Sequence, residues 1–573
     1  MASLPSSIQS LLMARVDRLA QADKTVLQAA SVIGRRFRVE VLAATTDGSN
    51  IDAQLSAMEG LDLIHVDRAS GEFSFKHALV RDTLYSGLLS GQRAALHLKI
   101  AREIERRNPG QLVEVAETLA HHFSRTDQTE KSIEYLALSG RKSFGVYSLD
   151  AAEHFLKAAL ALARAQDRTR MDVRIATSMA DLAKVLYLQS RAQETIALVE
   201  PELQSLDTLG DVQQVVILLD LYAVALFLGC RFRQARLIQE KALAIAQRLG
   251  DERAQAYSRA GLIMLSIVIE PIPPDEFERT AESAYAKVQA YGDVYIVGRT
   301  IMAIVWNHVH SGLLLEGRRW ADRLMAFGRE QQDPRALGMA LWLLGWLDIV
   351  AQDYSAGLAH GEECERLALT PIDRQLGQTV VGNCQLLLGR VTEGIKTVVR
   401  HRQQALANGW HLSAMSGEIA LAVSMLLSGE FAKGVRTLES VIERSENEYG
   451  YRVYADLGRI YLAEFYVLLL RGTRKPPLRI LLKNLLFLLR IKRVAAKKAE
   501  ALLQEARRDP WFCDRGVARA RIDFDLGELY AATGQAGLAR KHFEAARAIA
   551  VAQQVPKMLA RIEAAINSIA APG

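Results

Sequence analysis

A chain of 573 residues, half of them apolar and 24% charged, holds enough apolar material for several domains or for one small domain followed by a long repeat array, and its balance excludes a disordered or collagen-like chain. Thirteen prolines, standing mostly singly between long apolar-periodic stretches, favour helices almost throughout. The net charge of +6 is local, because ten Lys or Arg and no acid lie between Arg471 and Lys498 while the rest carries 61 bases against 65 acids; phosphate tracking along the whole length is excluded.

Residues 6 to 34 read as two helices. Ser6 and Gln9 have capping-box spacing, and Ile8, Leu11, Leu12, Val16 and Leu19 form one apolar face. Asp23 is expected to cap the second helix and Gly34 to end it. A third helix spans about Asn50 to Leu63. Ile64 and Val66, a turn at Ala69-Ser70-Gly71, and Phe73 and Phe75 then alternate as a hairpin. Helices resume at Ala78–Leu89 and Arg93–Arg107. Three helices closed by a two-stranded wing make a winged helix over residues 1–110. Its third helix carries Asp52, Glu59 and Asp62 and no base, which opposes DNA phosphate, so no nucleic-acid partner is expected.

The run LPSSIQSLLMARVDRLAQADKTVLQAASVIGRRF, followed by FSFKHALVRDTLYSGLL and LHLKIAREIE, resembles the winged-helix segment downstream of the ATPase module in bacterial STAND-type signalling ATPases, some of which carry a nucleotide cyclase or a kinase as well as tetratricopeptide repeats. The resemblance covers about the first 110 residues. In related STAND proteins a Met-His-Asp motif opens the helix after the wing, and its His senses bound nucleotide diphosphate. His77 matches that His within Phe75-Lys76-His77-Ala78, which makes it the nucleotide-sensing candidate; Ala78 stands where the motif has Asp, and packing or helix capping is the other role open to His77. The resemblance also implies that Met1 falls where an ATPase module would hand over, so an N-terminal ATPase partner or extension is expected.

From about Gln111 to the end, amphipathic helices alternate with short breaks, which predicts an all-α superhelix of nine or ten tetratricopeptide-like pairs over 111–573. The clearest unit is the last, in which Leu526, Gly527, Tyr530, Gly534, Ala539, Phe543 and Ala546 occupy the repeat's signature positions. Aligning the small residue that opens the second helix gives Gly317, Gly357, Gly394, Gly434 and Ala539, with a period near 40 and room for an insertion before the last unit. The first helices should line a concave wall. On them Trp306, Trp342 and Trp346 are candidates for anchoring a protein or peptide partner, the alternative being that they fill an irregular core.

Between Arg471 and Lys498 the apolar Leu481, Leu482, Leu485, Leu486, Leu488 and Leu489 cover most of a helix circumference, and Lys483, Arg490 and Lys497, seven apart, mark a basic stripe. These three are the candidates for contact with an anionic membrane surface. The wide apolar circumference instead predicts a repeat helix buried by its neighbours, so membrane contact is not expected.

No G-x-x-x-x-G-K-[ST] loop, G-x-S-x-G elbow or H-E-x-x-H helix occurs, and no catalytic residue or cofactor is assigned. His121-His122 and His308-x-His310 lack the spacing that puts two His on one helix face, so no metal is expected. Cys230, Cys364, Cys384 and Cys513 form no CxxC pair, which suits reduced thiols and a cytoplasmic protein, as does the lack of a leader or an apolar run of ~18–20 residues. The expectation is a non-catalytic regulatory module that binds a partner through its repeats and controls a linked ATPase or cyclase. A stand-alone scaffold is the alternative; a transcription regulator is disfavoured, because related activators place a DNA-binding domain after the repeats and this chain stops at Ala571-Pro572-Gly573.

Overall fold

The computed structural model describes residues 14–46, 50–166, 171–472 and 477–570, so Ser6 and Gln9 lie outside the described residues. The chain forms two compact units, 1–170 and 171–573. Helices over 111–166, expected to begin the array, fall in the first.

In the first unit the order is helix Gln21–Ile33, β1 Arg36–Phe37, helices Val39–Thr45 and Ile51–Gly60, then β2 Ile64–Asp67 and β3 Glu72–Phe75. The sheet is antiparallel with order β1-β3-β2, and Ile64 pairs with Phe75. Alternation located β2 and β3. It missed β1 and the seven-residue helix after it, which are too short to show a period. The hairpin turns where Asp67 accepts from Ala69 N at 3.0 Å and Ser70 Oγ at 2.8 Å, and Gly71 takes φ +71°. Leu27, Ala30, Phe37, Leu42, Leu55, Met58 and Phe75 form the core. Asp23 does not cap its helix. Gln21 opens it, and Asp23 in the first turn accepts from Gln54 Nε2 at 2.9 Å, tying two helices together.

The second unit is a run of antiparallel helix pairs. Their first helices are Val173–Leu188, Gln213–Leu228, Glu252–Ile269, Val294–Ser311, Pro334–Val350, Pro371–Leu387, His411–Leu427, Arg452–Arg471 and Val517–Ala532. The repeat is written in the backbone where these helices end. Ser190, Cys230, Gly312, Gln352, Gly389, Gly429 and Gly534 all have positive φ, and the next N–H bonds back to the helix, as Arg390 N does to Gln385 O and Glu430 N to Met425 O, both at 2.8 Å. Each second helix then opens three residues before its aligned small residue, as in Leu314–Glu330 with Gly317 and Phe431–Asn447 with Gly434. A Cβ on Gly434 would come within 2.7 Å of Leu426, which is the close approach the small residue permits.

The superhelix closes on itself. Ser190 Oγ donates to Gln375 Oε1 at 2.7 Å, Gln193 N to Asn408 O at 3.1 Å, Val517 N to Gly312 O at 2.9 Å, and Lys557 pairs with Asp353 at 2.8 Å. These partners are separated by roughly five repeats, so one turn of the coil rests on the next and the concave side is enclosed as a cavity.

The basic segment differs from its expected form. It is two short helices, Leu478–Lys483 and Leu485–Lys492, broken at Asn484, and Leu482, Leu486 and Leu489 are 65%, 74% and 60% exposed. Asn484 is buried and its Nδ2 donates to Gly429 O at 2.8 Å, which pins the break to the array and leaves the leucines outside. Lys483, Arg490 and Lys497 are exposed beside them, so this is not a helix covered by its neighbours.

Candidate functional site

The enclosed space is a cavity of about 1150 Å³, measured out to its solvent-open mouth. Apart from Gln239, its lining comes from the first helices of eight consecutive pairs and the residue before one of them, Trp410. Trp306, Trp342 and Trp346 all line it. Trp306 and Trp342 stack with centroids 5.0 Å apart at 16°, and Trp346 meets Trp306 edge-on at 5.7 Å. The three are not equivalent. Trp306 and Trp342 are buried, and Trp342 Nε1 donates to Thr379 Oγ1 at 3.2 Å. Trp346 is half-buried, and its indole N–H has no partner among the described residues.

Beside this apolar wall lies a polar cluster that sequence reasoning missed. Arg299 is 8% exposed, and its guanidinium carbon lies 4.2 Å over the ring of Tyr257, which stacks on Tyr295 and donates to its hydroxyl at 2.9 Å. A Cβ on Gly261 would meet Arg299 Nη2 at 3.0 Å and overlap the Gln239 amide, so glycine leaves room for both groups over the helix. Asp220, 1% exposed, accepts from Ser258 Oγ at 3.0 Å and from Gln239 Nε2. Burial pushes its carboxyl up to about 7, against the Arg299 charge and the two hydrogen bonds, which act downward. The signal for both residues was present: each is a lone charge on an otherwise apolar first helix, in VVILLDLYAVALFL and VYIVGRTIMAIVW.

This carboxyl gives a pH dependence of definite sign. Its folded value lies above the ordinary carboxylate value of 3.8, so between about pH 4 and 7 the folded chain holds the proton more tightly and stability falls as pH rises. Asp220→Asn is expected to lessen that fall. Urea midpoints of both chains across this window check it, and parallel curves would contradict it.

Elsewhere, His77 is half-buried at the N-cap of helix Ala78–Ser86 and its side chain makes no capping bond. His308 Nε2 stands 3.2 Å from Glu278, while His310 Nδ1 faces Trp306 O at 2.7 Å and its other nitrogen meets the Tyr451 hydroxyl. His121 and His122 are joined by His97 from helix Ser90–Arg107, a neighbour invisible to local spacing, and the three are placed to offer ligand nitrogens within 4.8 Å of one another. Hydrogen bonds already engage two of them: His97 Nδ1 and His122 Nδ1 are 2.8 Å apart, and Tyr85 OH lies 3.0 Å from His97 Nε2. Burial, then the charge of Arg125 among others, lowers His97 to about 4, and the same positive charge opposes a metal cation. The four cysteines are free. Among the described residues no helix is long and apolar enough to cross a membrane.

No family model matches the chain. An uncharacterised protein of Rhizobium meliloti strain 1021 is 26% identical over 163 residues, which are 27% of this chain and 16% of that relative, so the match spans less than a fifth of its length. Similar solved structures include a STAND protein with a tetratricopeptide repeat sensor from Pyrococcus horikoshii, at 12% identity and TM-score 0.38, covering 87% of this chain and 68% of that one. A Rap protein complexed with competence and sporulation factor matches at 11% identity and TM-score 0.35, over 75% and 99% of the two chains. The Cut9–Hcn1 tetramer of APC/C matches at 14% and 0.43, over 91% of each.

Proposed function

We propose that this chain is a non-catalytic interaction module that receives a peptide or a segment of a partner protein in the cavity of its repeat array. The observation that carries the reading is the convergence of eight first helices on one aromatic-lined space, since a repeat array that only spaced other domains would have no need to gather indoles there. Selection of a displayed library of short random peptides on the wild-type chain, with counter-selection on Trp346→Ala, tests it. Enrichment of peptides that the variant does not retain is expected; no enrichment, or equal retention, would contradict the reading.

The helix–strand–helix–helix–strand–strand order of residues 21–75, with sheet order β1-β3-β2, supports reading the first unit as a winged helix. With the motif at His77, it supports a further role in restraining a STAND-type ATPase in the cytoplasm. When such a module is supplied in cis or in trans, His77→Ala is expected to shift its bound nucleotide towards the triphosphate. Unchanged nucleotide content and exchange rate would leave His77 a packing residue.

A second reading concerns the insert, and the exposure of its leucines favours it. Leu482, Leu486 and Leu489 beside Lys483, Arg490 and Lys497 present an apolar face with a positive rim, the combination that settles on anionic lipid. Sedimentation with phosphatidylserine vesicles is expected and should be lost on Leu486→Ser with Arg490→Ser. Absence of co-sedimentation at low salt would dismiss it.

A further inference from the structure

We infer that the cavity is built to take a carboxylate carried on an apolar body, with Arg299 as its anion-binding residue. The inference rests on the reading of the cavity as a ligand site and names the chemistry of what enters it.

The lining contains two unpartnered donors. Arg299 Nη1 and Trp346 Nε1 are both buried, and neither has a hydrogen-bond partner among the described residues. A buried donor left unpaired costs ~1–3 kcal/mol, and more when it is charged, so a folded chain retains such groups where something else completes them. The one carboxylate whose charge Arg299 feels, Asp220, is engaged by Gln239 and Ser258. The acid in the lining, Asp373, is held by Arg335 at 3.0 Å. Arg299 therefore presents a guanidinium, held over the Tyr257 ring, to a space walled mostly by aromatic and aliphatic side chains.

The missing group must accept and not donate, must be negative, and must tolerate an apolar surround. A carboxylate meets all three, and its paired oxygens match the planar fork of arginine. The aromatic wall formed by Trp306, Trp342 and Trp346 asks for an apolar body attached to it. Two sources share this chemistry: the C-terminus of an apolar peptide and a free organic acid.

The test uses the whole chain and two pairs of probes, each an acid with its uncharged amide: 4-phenylbutyrate with 4-phenylbutanamide, and N-acetyl-Leu-Ala-Phe with its C-terminal amide. Binding is followed by calorimetry and by tryptophan emission. One acid at least should bind about ten-fold or more tighter than its amide, as a charge-assisted bond implies. Arg299→Gln should remove that preference and leave amide binding unchanged, and Arg299→Lys should restore part of it. Preference for the peptide acid assigns a C-terminus; preference for phenylbutyrate assigns a free acid. Equal binding of acid and amide to the wild type, a preference that survives Arg299→Gln, or no binding of any probe at millimolar concentration would overturn the inference. Equal binding that weakens on Trp346→Ala would leave the cavity a ligand site and remove only its carboxylate preference.

Discussion

Replacing Gly516 by alanine is expected to destabilise the second unit by about 3 kcal/mol, because a Cβ there would stand 1.8 Å from the carbonyl oxygen of Ser311. That oxygen belongs to the backbone at the end of helix Val294–Ser311, so no side-chain rotation relieves the overlap. Gly312, at φ +71°, accepts the Val517 N–H at 2.9 Å in the same place, and the two strands of chain come this close only because neither glycine has a side chain. Gly537→Ala is the control. It is exposed in the first turn of helix Ala536–Ala552 with nothing within 4 Å of its Cβ, and alanine there should be neutral or slightly stabilising. Chemical denaturation of the two variants separates a closed seam from an open one: equal stabilities would show that the turns do not touch.

The second large effect is expected from the tryptophans, and it differs among them. Trp342→Ala removes an indole that is 8% exposed, stacks on Trp306 and donates to Thr379, so it should cost ~3–5 kcal/mol of stability and lower the melting temperature. Trp346→Ala removes a half-buried ring whose N–H is unbonded. It should leave melting nearly unchanged and weaken partner binding by at least ~2 kcal/mol. Thermal unfolding and partner capture on the same two variants decide this. A large loss of stability in both would make all three indoles wall-packing residues.

These expectations show how far residue pattern reaches. Gly317, Gly357, Gly394 and Gly434 could be aligned from sequence because a small residue is needed wherever the second helix opens against the first, a local contact repeated every ~40 residues. Placing Trp306, Trp342 and Trp346 on first helices followed from the same register. Closure of the coil did not, since it depends on small rotations between pairs that accumulate over about five repeats and on contacts such as Gly312 with Val517 that no local period encodes. The cluster of Asp220 and Arg299 was hidden for the same reason, although a single charge on each of two apolar helices marked both. The leucines after Pro477 misled because their circumference was judged as one straight helix. Asn484, capping one short helix and opening the next, divides it and turns one side to solvent.

The ligand site exists only if the coil is closed around its cavity, and the distance across the seam measures that closure most directly. Spin labels at Ser355→Cys and Ala560→Cys, both exposed and near the Asp353–Lys557 ion pair without taking part in it, suit pulsed dipolar spectroscopy in a chain carrying Cys513→Ser, since the other three cysteines are buried. A single narrow distribution at the shortest distances two label arms allow is the result a closed superhelix requires. A broad distribution at long distance would show an open coil, in which Arg299 and the tryptophans face bulk water across a groove and the cavity does not exist.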